Sequence, residues 1–369
     1  MSRFHVTYRV FAPDAAEARA RAEEIALEQT VEVPREVVPA GFIADEIVGR
    51  IEEIGAEAEG RFRAVVSYSP ESAGTELPQL LNVIFGNSSI QKGLKVTGLD
   101  LGPLAATFPG ARFGIEGIRR LAGAPKGPLI APVLKPQGSS PETLARIAER
   151  CARAGAQVIK EDHGLTDQPV HAFRARVEAI GAAVARANAE KEGTSLYFAN
   201  LAGRTEDLME NARFAKAAGA HGFLVMPGLF GFDLVRRVAE APGLGLPVMT
   251  HPSFLGPHVL SDDTGFTHGM MFGTLQRLAG SDISVFPNFG GRFGFTEAQC
   301  REIVAACQDP AGIGPPMLPS PGGGMSPERA AGMRAMYGDD TVFLLGGSLL
   351  RHGERIGEAV AALLGAMSG

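Results

Sequence analysis

A strand–helix alternation that repeats eight times after residue 122 is the feature that most constrains the fold. Each repeat is a short apolar run followed by a stretch of helical periodicity, and many of these helices begin at Ser, Thr, Asp or Pro and end at Gly. The runs have no polar face, which is typical of parallel strands covered on both sides. The predicted strands are "PLIAPVLKP", "AQVIKED", "SLYFANLA", "GFLVMPG", "LPVMTHP", "DISVFPNF", "PMLPSPG" and "TVFLLGG".

This pattern predicts an α/β protein in which residues 123–369 form a (β/α)8 TIM barrel. A doubly wound sheet is the alternative, but that fold usually carries a Gly-rich phosphate loop after its first strand. The stretch in that position, "LKPQGSS", is not such a loop. The barrel is therefore the favoured architecture.

Residues 1–122 are predicted to form a separate, ferredoxin-like α+β domain. "FHVTYRV" alternates as a strand, and Asp14 is a favourable N-cap for the helix in "DAAEARARAEEIALEQT". "EIVGRIEEIGAEAE" and "RFRAVVSYSP" are predicted to pair around Gly60, before a helix in "ELPQLLNVIFGN" and a strand in "GLKVTGLDL". Strand, helix, two strands, helix and strand is a ferredoxin-like order.

Composition excludes several classes of function. The net charge is −6 with dispersed basic residues, so neither nucleic acid nor a membrane surface is an expected partner. No apolar run reaches the roughly 18 residues of a membrane span, and the N-terminus has no apolar signal region. The three cysteines lack the spacing of a zinc site or disulfide framework, which fits a reducing compartment. We expect a cytoplasmic protein.

Polar side chains follow the predicted barrel strands at the ends where TIM barrels place their chemistry. Any one of them alone would be a weak signal, but polar groups at so many strand ends predict a catalytic rim. In chain order they are Lys135, Lys160 with Asp162 and His163, Asn200, His251 and Asn288.

The motif "VIKEDH" contains the densest group of these residues. Period-two alternation places Lys160 and Asp162 on one face and Glu161 on the other, where we expect it to matter little. Lys160 is either half of an ion pair or a functional amine, acting as a nucleophile or taking up carbon dioxide as a carbamate. The carbamate, Asp162 and His163 would form an oxygen-rich site for a hard cation such as Mg²⁺. The local motif leaves these alternatives open.

Lys135 and His251 each allow a structural and a functional interpretation. Lys135 is either a solvated lysine of the rim or an acid–base group. Two lysines on adjacent strand ends repel unless one is neutral or both face anions, which favours a lowered pKa for one of them. His251, in "VMTHPSF", is either a satisfied core histidine or a site residue. "PNFGGRFGF" is predicted to be a mobile loop over the mouth, with Arg292 as a lid residue or a solvated one.

Two glycine clusters, "PSPGGGMSP" and "LLGGSLL", follow the last two predicted strands. Either they are only tight turns, or their bare N–H groups bind a phosphate, as recurs after strands seven and eight of TIM barrels. We favour phosphate binding, by Gly323, Gly324, Gly346 and Gly347.

Over nearly the whole chain these motifs resemble the RuBisCO superfamily, and specifically the RuBisCO-like proteins (form IV), which do not fix carbon dioxide. "LKPQG" is similar to the family's "IKPKLG", which implies that Lys135 is the catalytic lysine. "VIKEDH" is similar to "FxKxDE", which implies a carbamylated Lys160 and Asp162 as a metal ligand. "ALEQT" is similar to "AESST" and "FGNSSI" to "VGNVFG", which implies that Glu28 and Asn87 serve the partner's active site in a homodimer. The glycine clusters resemble the family's phosphate turns.

The departures from the family motifs bear on function. His163 stands where "FxKxDE" ends in Glu, and Gln137 replaces the second lysine of "KPK". The loop "FGGRFGF" has no lysine at the register of the carboxylase's "GKLEG". "THPSF" replaces "HRAMH", whose Arg holds a second phosphate. The resemblance therefore implies a monophosphate substrate and no carboxylation.

The resulting hypothesis is a Mg²⁺-dependent enolisation or isomerisation of a ketose monophosphate, namely 5-methylthioribulose 1-phosphate isomerisation in methylthioadenosine and sulfur salvage. Lys135 or the Lys160 carbamate would move the proton. The alternatives are 2,3-diketo-5-methylthiopentyl-1-phosphate enolase, a 3-oxo acid phosphate decarboxylase or hydrolase, and a non-catalytic binding barrel. Retained Lys135, Lys160 and Asp162 disfavour the last alternative.

Overall fold

The computed structural model describes residues 2–201, 203–324 and 326–367. These residues cluster into two compact units, the first formed by residues 2–109 and 254–275 and the second by residues 110–253 and 276–367. The domain division predicted at residue 122 stays a prediction, because compactness alone does not show which part folds independently. Within the described residues, no helix is long and apolar enough to cross a bilayer.

The elements follow in chain order. The strands are β1 (Phe4–Phe11), β2 (Arg50–Ala58), β3 (Arg61–Tyr68), β4 (Leu94–Asp100), β5 (Leu129–Leu134), β6 (Val158–Glu161), β7 (Leu196–Asn200), β8 (Gly222–Val225), β9 (Val248–Thr250), β10 (Gly265–Phe266), β11 (Ile283–Pro287), β12 (Leu318–Gly322) and β13 (Val342–Leu345). The helices are α1 (Ala15–Glu28), α2 (Pro70–Ala73), α3 (Leu77–Phe85), α4 (Gly114–Ala122), α5 (Pro141–Arg153), α6 (Phe173–Ala189), α7 (Leu208–Ala217), α8 (Pro227–Phe230), α9 (Phe232–Glu240), α10 (Leu275–Leu278), α11 (Glu297–Gln308), α12 (Ala330–Tyr337), α13 (Gly347–Leu350) and α14 (Ile356–Met367).

The first unit is a five-stranded sheet in the order β10-β4-β1-β3-β2 with helices beside it. The residues of β1 alternate between buried and partly exposed, as a strand with one covered face requires. Asp14 caps α1, where its Oδ1 accepts from the Glu17 N–H at 2.9 Å. The predicted order of strand, helix, two strands, helix and strand is confirmed.

The fifth strand of this sheet was not predicted. β10 has two residues and comes from the connection between β9 and β11, far along the chain. It pairs in parallel with β4, and the Phe266 ring contacts Phe85 edge-on at a centroid distance of 5.1 Å. Lys95 Nζ also donates to the Ser261 carbonyl at 2.6 Å. A two-residue strand has no periodicity that a sequence pattern could show.

The second unit is a closed parallel barrel with the strand order β11-β12-β13-β5-β6-β7-β8-β9. All eight predicted barrel strands are present, so the TIM barrel is confirmed. Its interior is filled by alternate side chains of the strands, among them Val133, Val158 and Met249. Gly222 lies beside Phe198, and a Cβ at that glycine would come within 2.5 Å of the Phe198 ring. The glycine therefore leaves room for an aromatic ring inside the barrel.

Helix α4 packs on the barrel core through Ile118 and Ala122. One buried carboxylate, Asp282, ties the start of this helix to the base of the barrel. Its Oδ1 accepts from the N–H groups of Phe113 (2.7 Å) and Gly114 (2.9 Å), and its Oδ2 from that of Val248 (2.9 Å). Because a buried N–H group left without an acceptor costs free energy, we expect Asp282 to contribute to stability.

We predict that Asp282→Ala lowers the free energy of unfolding by about 3 kcal/mol, because it leaves these backbone N–H donors without an acceptor. Asp340→Ala is the control, since it removes only a half-exposed ion pair with Arg119 and should cost less than about 1 kcal/mol. Urea titration measures both. Equal losses in the two variants would contradict the role given to Asp282.

The same substitution should change the pH dependence of stability. Burial raises the pKa of Asp282 to about 6, although backbone N–H donors oppose the shift. The folded chain therefore binds a proton there between about pH 6 and pH 4, where the unfolded chain does not. Wild type should gain stability relative to Asp282→Ala as the pH falls through this window and lose that gain as it rises. A pH-independent difference would contradict the buried carboxylate.

Candidate active site

Strand alternation directs the predicted site residues into the barrel mouth. Val133 of β5 and Val158 of β6 face the barrel interior. Lys135 and Lys160 come two positions later, at the ends of these strands, and therefore face the same way. Asp162 continues that face beyond β6, where its N–H donates to the Leu134 carbonyl at 3.3 Å. The barrel thus brings the two lysines and the carboxylate together, as predicted.

Asp162 is the electrostatic centre of the cluster. Its Oδ1 lies 3.0 Å from Lys135 Nζ and 3.3 Å from His163 Nδ1. Burial acts to raise the pKa of Asp162, but the His163 ring and the charges of Lys160 and Lys135 outweigh it and hold the pKa well below its usual range. Asp162 is therefore ionised at neutral pH. Lys135 is partly exposed and is the lysine that forms the ion pair with Asp162.

Lys160 is 1% exposed, and its Nζ donates to the Glu161 backbone carbonyl at 2.8 Å. Among the described residues, no carboxylate lies within ion-pair distance of this amine. Burial lowers the pKa of Lys160 to about 8, and the nearby Lys135 charge acts in the same direction against Asp162 and Glu161. The ion-pair interpretation thus applies to Lys135, whereas Lys160 is a buried amine that is partly neutral near neutral pH.

His251 enters the mouth from the end of β9 and stacks on His163, with ring centroids 3.9 Å apart and planes 19° from parallel. Its Nδ1 accepts from the Ser253 N–H at 3.3 Å and lies 2.8 Å from Ser253 Oγ. Burial lowers the pKa of His251 well below its usual value, helped by Lys160 and His163. The ring is therefore neutral, and with Nδ1 as acceptor its proton lies on Nε2. Sequence reasoning missed Ser253, although its spacing of two residues from His251 was visible.

Glu161 points away from the mouth as predicted, and it has structural contacts that the alternation pattern did not indicate. Its side chain is fully buried behind β6, with Oε1 accepting from Arg176 Nε at 3.0 Å and from the Tyr197 hydroxyl at 2.8 Å. Oε2 accepts from the Asn200 N–H at 2.9 Å. A buried guanidinium needs a counter-ion, so Glu161 holds β6, β7 and α6 together beneath the site.

The two asparagines of the predicted rim have structural contacts. Asn200 Nδ2 donates to the carbonyls of His163 (3.2 Å) and Leu165 (2.9 Å), so it shapes the loop that carries His163. Asn288 falls on the outer face of β11, where its Oδ1 accepts from the Tyr337 hydroxyl at 2.5 Å. Alternation explains the second case, because Asn288 is an odd number of residues from the inward-facing Val285.

The glycine turns lie at the same mouth. A Cβ on Gly346 would be 3.8 Å from Lys135 Cε, so the turn after β13 is adjacent to the lysine cluster. Among the described residues, no acceptor pairs with the N–H groups of Gly323, Gly324 or Gly346. Gly324 and Gly347 are exposed, and Gly323 and Gly346 partly so. Unpaired, accessible N–H groups are what an anion site requires.

Glu28 and Asn87 come together in the first unit. Asn87 Nδ2 donates to Glu28 Oε1 at 2.9 Å, although the two residues are 59 positions apart. The neighbouring Gln29 fixes the same corner, since its Nε2 donates to the Asn82 carbonyl and its Oε1 accepts from the Ser88 N–H. Glu28 and Asn87 are thus in direct contact within the first unit, and their role at a partner's active site stays a prediction.

Asp162 and His163 are the candidate metal ligands that need no covalent modification. No group of three His, Cys, Asp or Glu residues suited to a metal occurs in the part of the chain that the structure describes. Asp162 and His163 therefore supply two of at least three ligands, and the group next to them is the buried Lys160 amine. This arrangement fits a hard cation only if Lys160 carries an additional carboxylate.

Comparison with known proteins decides the family. Residues 114–290 match the family described as the ribulose bisphosphate carboxylase large chain, catalytic domain. Ribulose bisphosphate carboxylase-like protein 1 of Rhodopseudomonas palustris is 40% identical, over 97% of this chain and 96% of its own. The chain belongs to the RuBisCO-like proteins.

Other RuBisCO-like relatives have named activities. The 5-methylthioribulose-1-phosphate isomerase of Rhodospirillum rubrum is 37% identical, over 100% of this chain and 96% of its own. The 2,3-diketo-5-methylthiopentyl-1-phosphate enolase of Exiguobacterium sibiricum is 30% identical, over 83% and 77%. The crystal structure of a Rubisco-like protein from Rhodopseudomonas palustris superposes with a TM-score of 0.88 at 34% identity, covering 100% of this chain and 98% of that one.

We predict that Glu161→Gln destabilises this RuBisCO-like protein by about 3 kcal/mol or more, because it leaves Arg176 charged and buried without a counter-ion. Glu297→Gln is the matched control, since its pair with Arg301 is exposed on α11 and should contribute less than about 1 kcal/mol. Chemical unfolding of both variants gives the comparison. A Glu161→Gln protein as stable as wild type would contradict the bracing role.

Proposed function

We propose that this RuBisCO-like protein is a 5-methylthioribulose 1-phosphate isomerase of methylthioadenosine and sulfur salvage, and not a carboxylase. The observation that carries the proposal is the likeness to the Rhodospirillum rubrum isomerase, which covers 100% of this chain and 96% of that one. It is supported by the Lys135–Asp162–His163 cluster beside a buried Lys160.

The glycine turns are the proposed phosphate site. The unpaired N–H groups of Gly323, Gly324 and Gly346 would bind the phosphate oxygens together with that of Gly347. Lys135, whose Cε lies beside Gly346, is adjacent to this proposed site. With a phosphate held there, the carbon chain of the substrate would extend past Lys135 toward Asp162.

Lys160, as its carbamate, would join Asp162 and His163 in holding Mg²⁺. Burial and the absence of a carboxylate partner among the described residues both favour the neutral amine that reacts with carbon dioxide. When bound, Mg²⁺ supplies Lewis-acid stabilisation of the negative charge that forms on the substrate oxygens.

The isomerisation itself needs only proton movements, which this chain's residues can carry. Lys135, in its neutral form, would take the proton from the carbon beside the carbonyl and, as the resulting ammonium, return it to the former carbonyl carbon. His251, with its proton on Nε2, would carry the second proton between the two oxygens. The carbonyl and hydroxyl groups exchange places, and no oxidant or reductant is consumed.

The diketo-phosphate enolase reaction is the second candidate, because a named enolase is 30% identical over most of this chain. It would use the same phosphate turns and the same proton transfer. We favour the isomerase because the identity to the named isomerase is higher and spans both chains, and because the complete Lys-Asp-Glu motif associated with the enolase ends here in His163.

A homodimer with shared active sites is the proposed assembly. In the first unit, the hydrogen-bonded Glu28 and Asn87 form a polar corner. We propose that this corner completes the barrel mouth of the partner subunit, as the family resemblance implies.

The first test measures proton exchange directly. In deuterated water, wild type with Mg²⁺ and bicarbonate should incorporate deuterium beside the carbonyl of 5-methylthioribulose 1-phosphate, followed by proton NMR. Lys160→Ala should abolish this exchange, because it removes the proposed metal ligand. Lys126→Ala, an exposed lysine beyond the site, should behave as wild type. Full exchange by Lys160→Ala, or by wild type without metal and bicarbonate, would rule out the mechanism.

The second test asks whether two chains build one site. Glu28→Gln and Lys160→Ala should each be inactive, yet their mixed dimers should recover about a quarter of wild-type activity, because half the dimers are mixed and each has one intact site. Lys135→Ala mixed with Lys160→Ala is the control and should recover nothing, since both changes damage the barrel. Recovery in neither mixture would mean that each site is built within one chain.

A further inference from the structure

The loop after β11 lies directly on the glycine turn after β12, and the contact is made by backbone. A Cβ on Gly324 would come within 2.9 Å of Gly291 Cα, and one on Gly291 within 3.1 Å of the Gly323 carbonyl oxygen. The Phe293 ring covers the same turn at 3.4 Å from a Cβ on Gly323. The loop and the turn therefore form one closely packed layer.

One side chain, Arg329, contacts both parts of this layer. Its Nη1 donates to the Gly324 carbonyl at 2.8 Å. Its Cζ lies 5.6 Å from the centroid of the Phe289 ring, and its Nη2 would be 3.4 Å from a Cβ on Gly290. Within residues 2–201, 203–324 and 326–367, no carboxylate pairs with this guanidinium. Its positive charge is thus unneutralised beside unpaired N–H groups.

We propose that Arg329 is a positioning residue for substrate phosphate at the Gly323–Gly324 turn. The inference rests on the proposed function, whose phosphate site it deepens. Arg329 donates to the Gly324 carbonyl, so the partial negative charge of that oxygen is neutralised and repels a bound anion less. The same hydrogen bond fixes the turn, so that its N–H groups stay available to phosphate. Its unpaired charge attracts a dianion to the same place.

A purely structural role makes a different prediction. Arg329 immediately precedes α12, and a purely structural role would be to stabilise the start of that helix. In that case its loss would lower the thermal midpoint and leave phosphate affinity alone. Phosphate affinity is therefore the readout that separates the two roles.

The test is calorimetric titration of the full-length protein with inorganic phosphate. Arg329→Met removes the donors and the charge, and should weaken phosphate binding by at least about tenfold, as loss of a charged hydrogen bond implies. Arg329→Gln keeps a hydrogen-bond donor but not the charge, so its phosphate affinity should lie between those of Arg329→Met and wild type. This variant replaces Arg329→Met in the test if that protein does not fold. Arg301→Met, which loses only an exposed pair with Glu297, should bind as wild type. With substrate, KM should rise more than kcat falls.

The outcomes separate this inference from the proposed function. Wild-type binding that is lost in Gly346→Val but unchanged in both Arg329 variants would overturn the inference and leave the phosphate site standing. Absence of binding in wild type, or full binding in Gly346→Val, would overturn the phosphate site and the inference with it.

Discussion

The site depends on a lysine amine, Lys160, that the barrel buries and that no carboxylate of the described residues pairs with. Lys160 lies on the inner face of β6, and the nearby Asp162 is paired with Lys135 instead. Burying a charged amine is costly, and the pKa of Lys160 falls to about 8 as a result. A buried amine with a lowered pKa is partly neutral, and the neutral form can react with carbon dioxide to give a carboxylate that binds a metal.

The surroundings of Lys160 are arranged to hold it there. Glu161 and Arg176 form a buried pair behind the strand, and Asn200 fixes the loop that follows. These contacts lie behind the strand and on the loop after it, and they determine where Lys160 and Asp162 project into the mouth. The catalytic proposal and the stability of the barrel are thus linked through one four-residue strand, β6.

Sequence patterns predicted most of the fold because the relevant signals are local. The barrel strands are apolar throughout, since both faces are covered, and period-two alternation correctly placed Lys160 and Asp162 on one face. Two features could not be predicted from such patterns. β10 has only two residues, and the pairing of Arg176 with Glu161 joins residues 15 positions apart across a strand and a helix. Asn288 could have been placed outside the mouth, had its alternation from Val285 been counted.

The central claim is that Lys160 becomes a carboxylate, and carbon-13 NMR in labelled bicarbonate with Mg²⁺ tests it most directly. Wild type should show a protein-bound carbamate resonance, because the buried amine reacts with carbon dioxide. The signal should be absent in Lys160→Ala and present in Lys126→Ala, which retains the buried amine. Identical spectra for wild type and Lys160→Ala would contradict the account and leave Lys160 as an unmodified acid–base lysine.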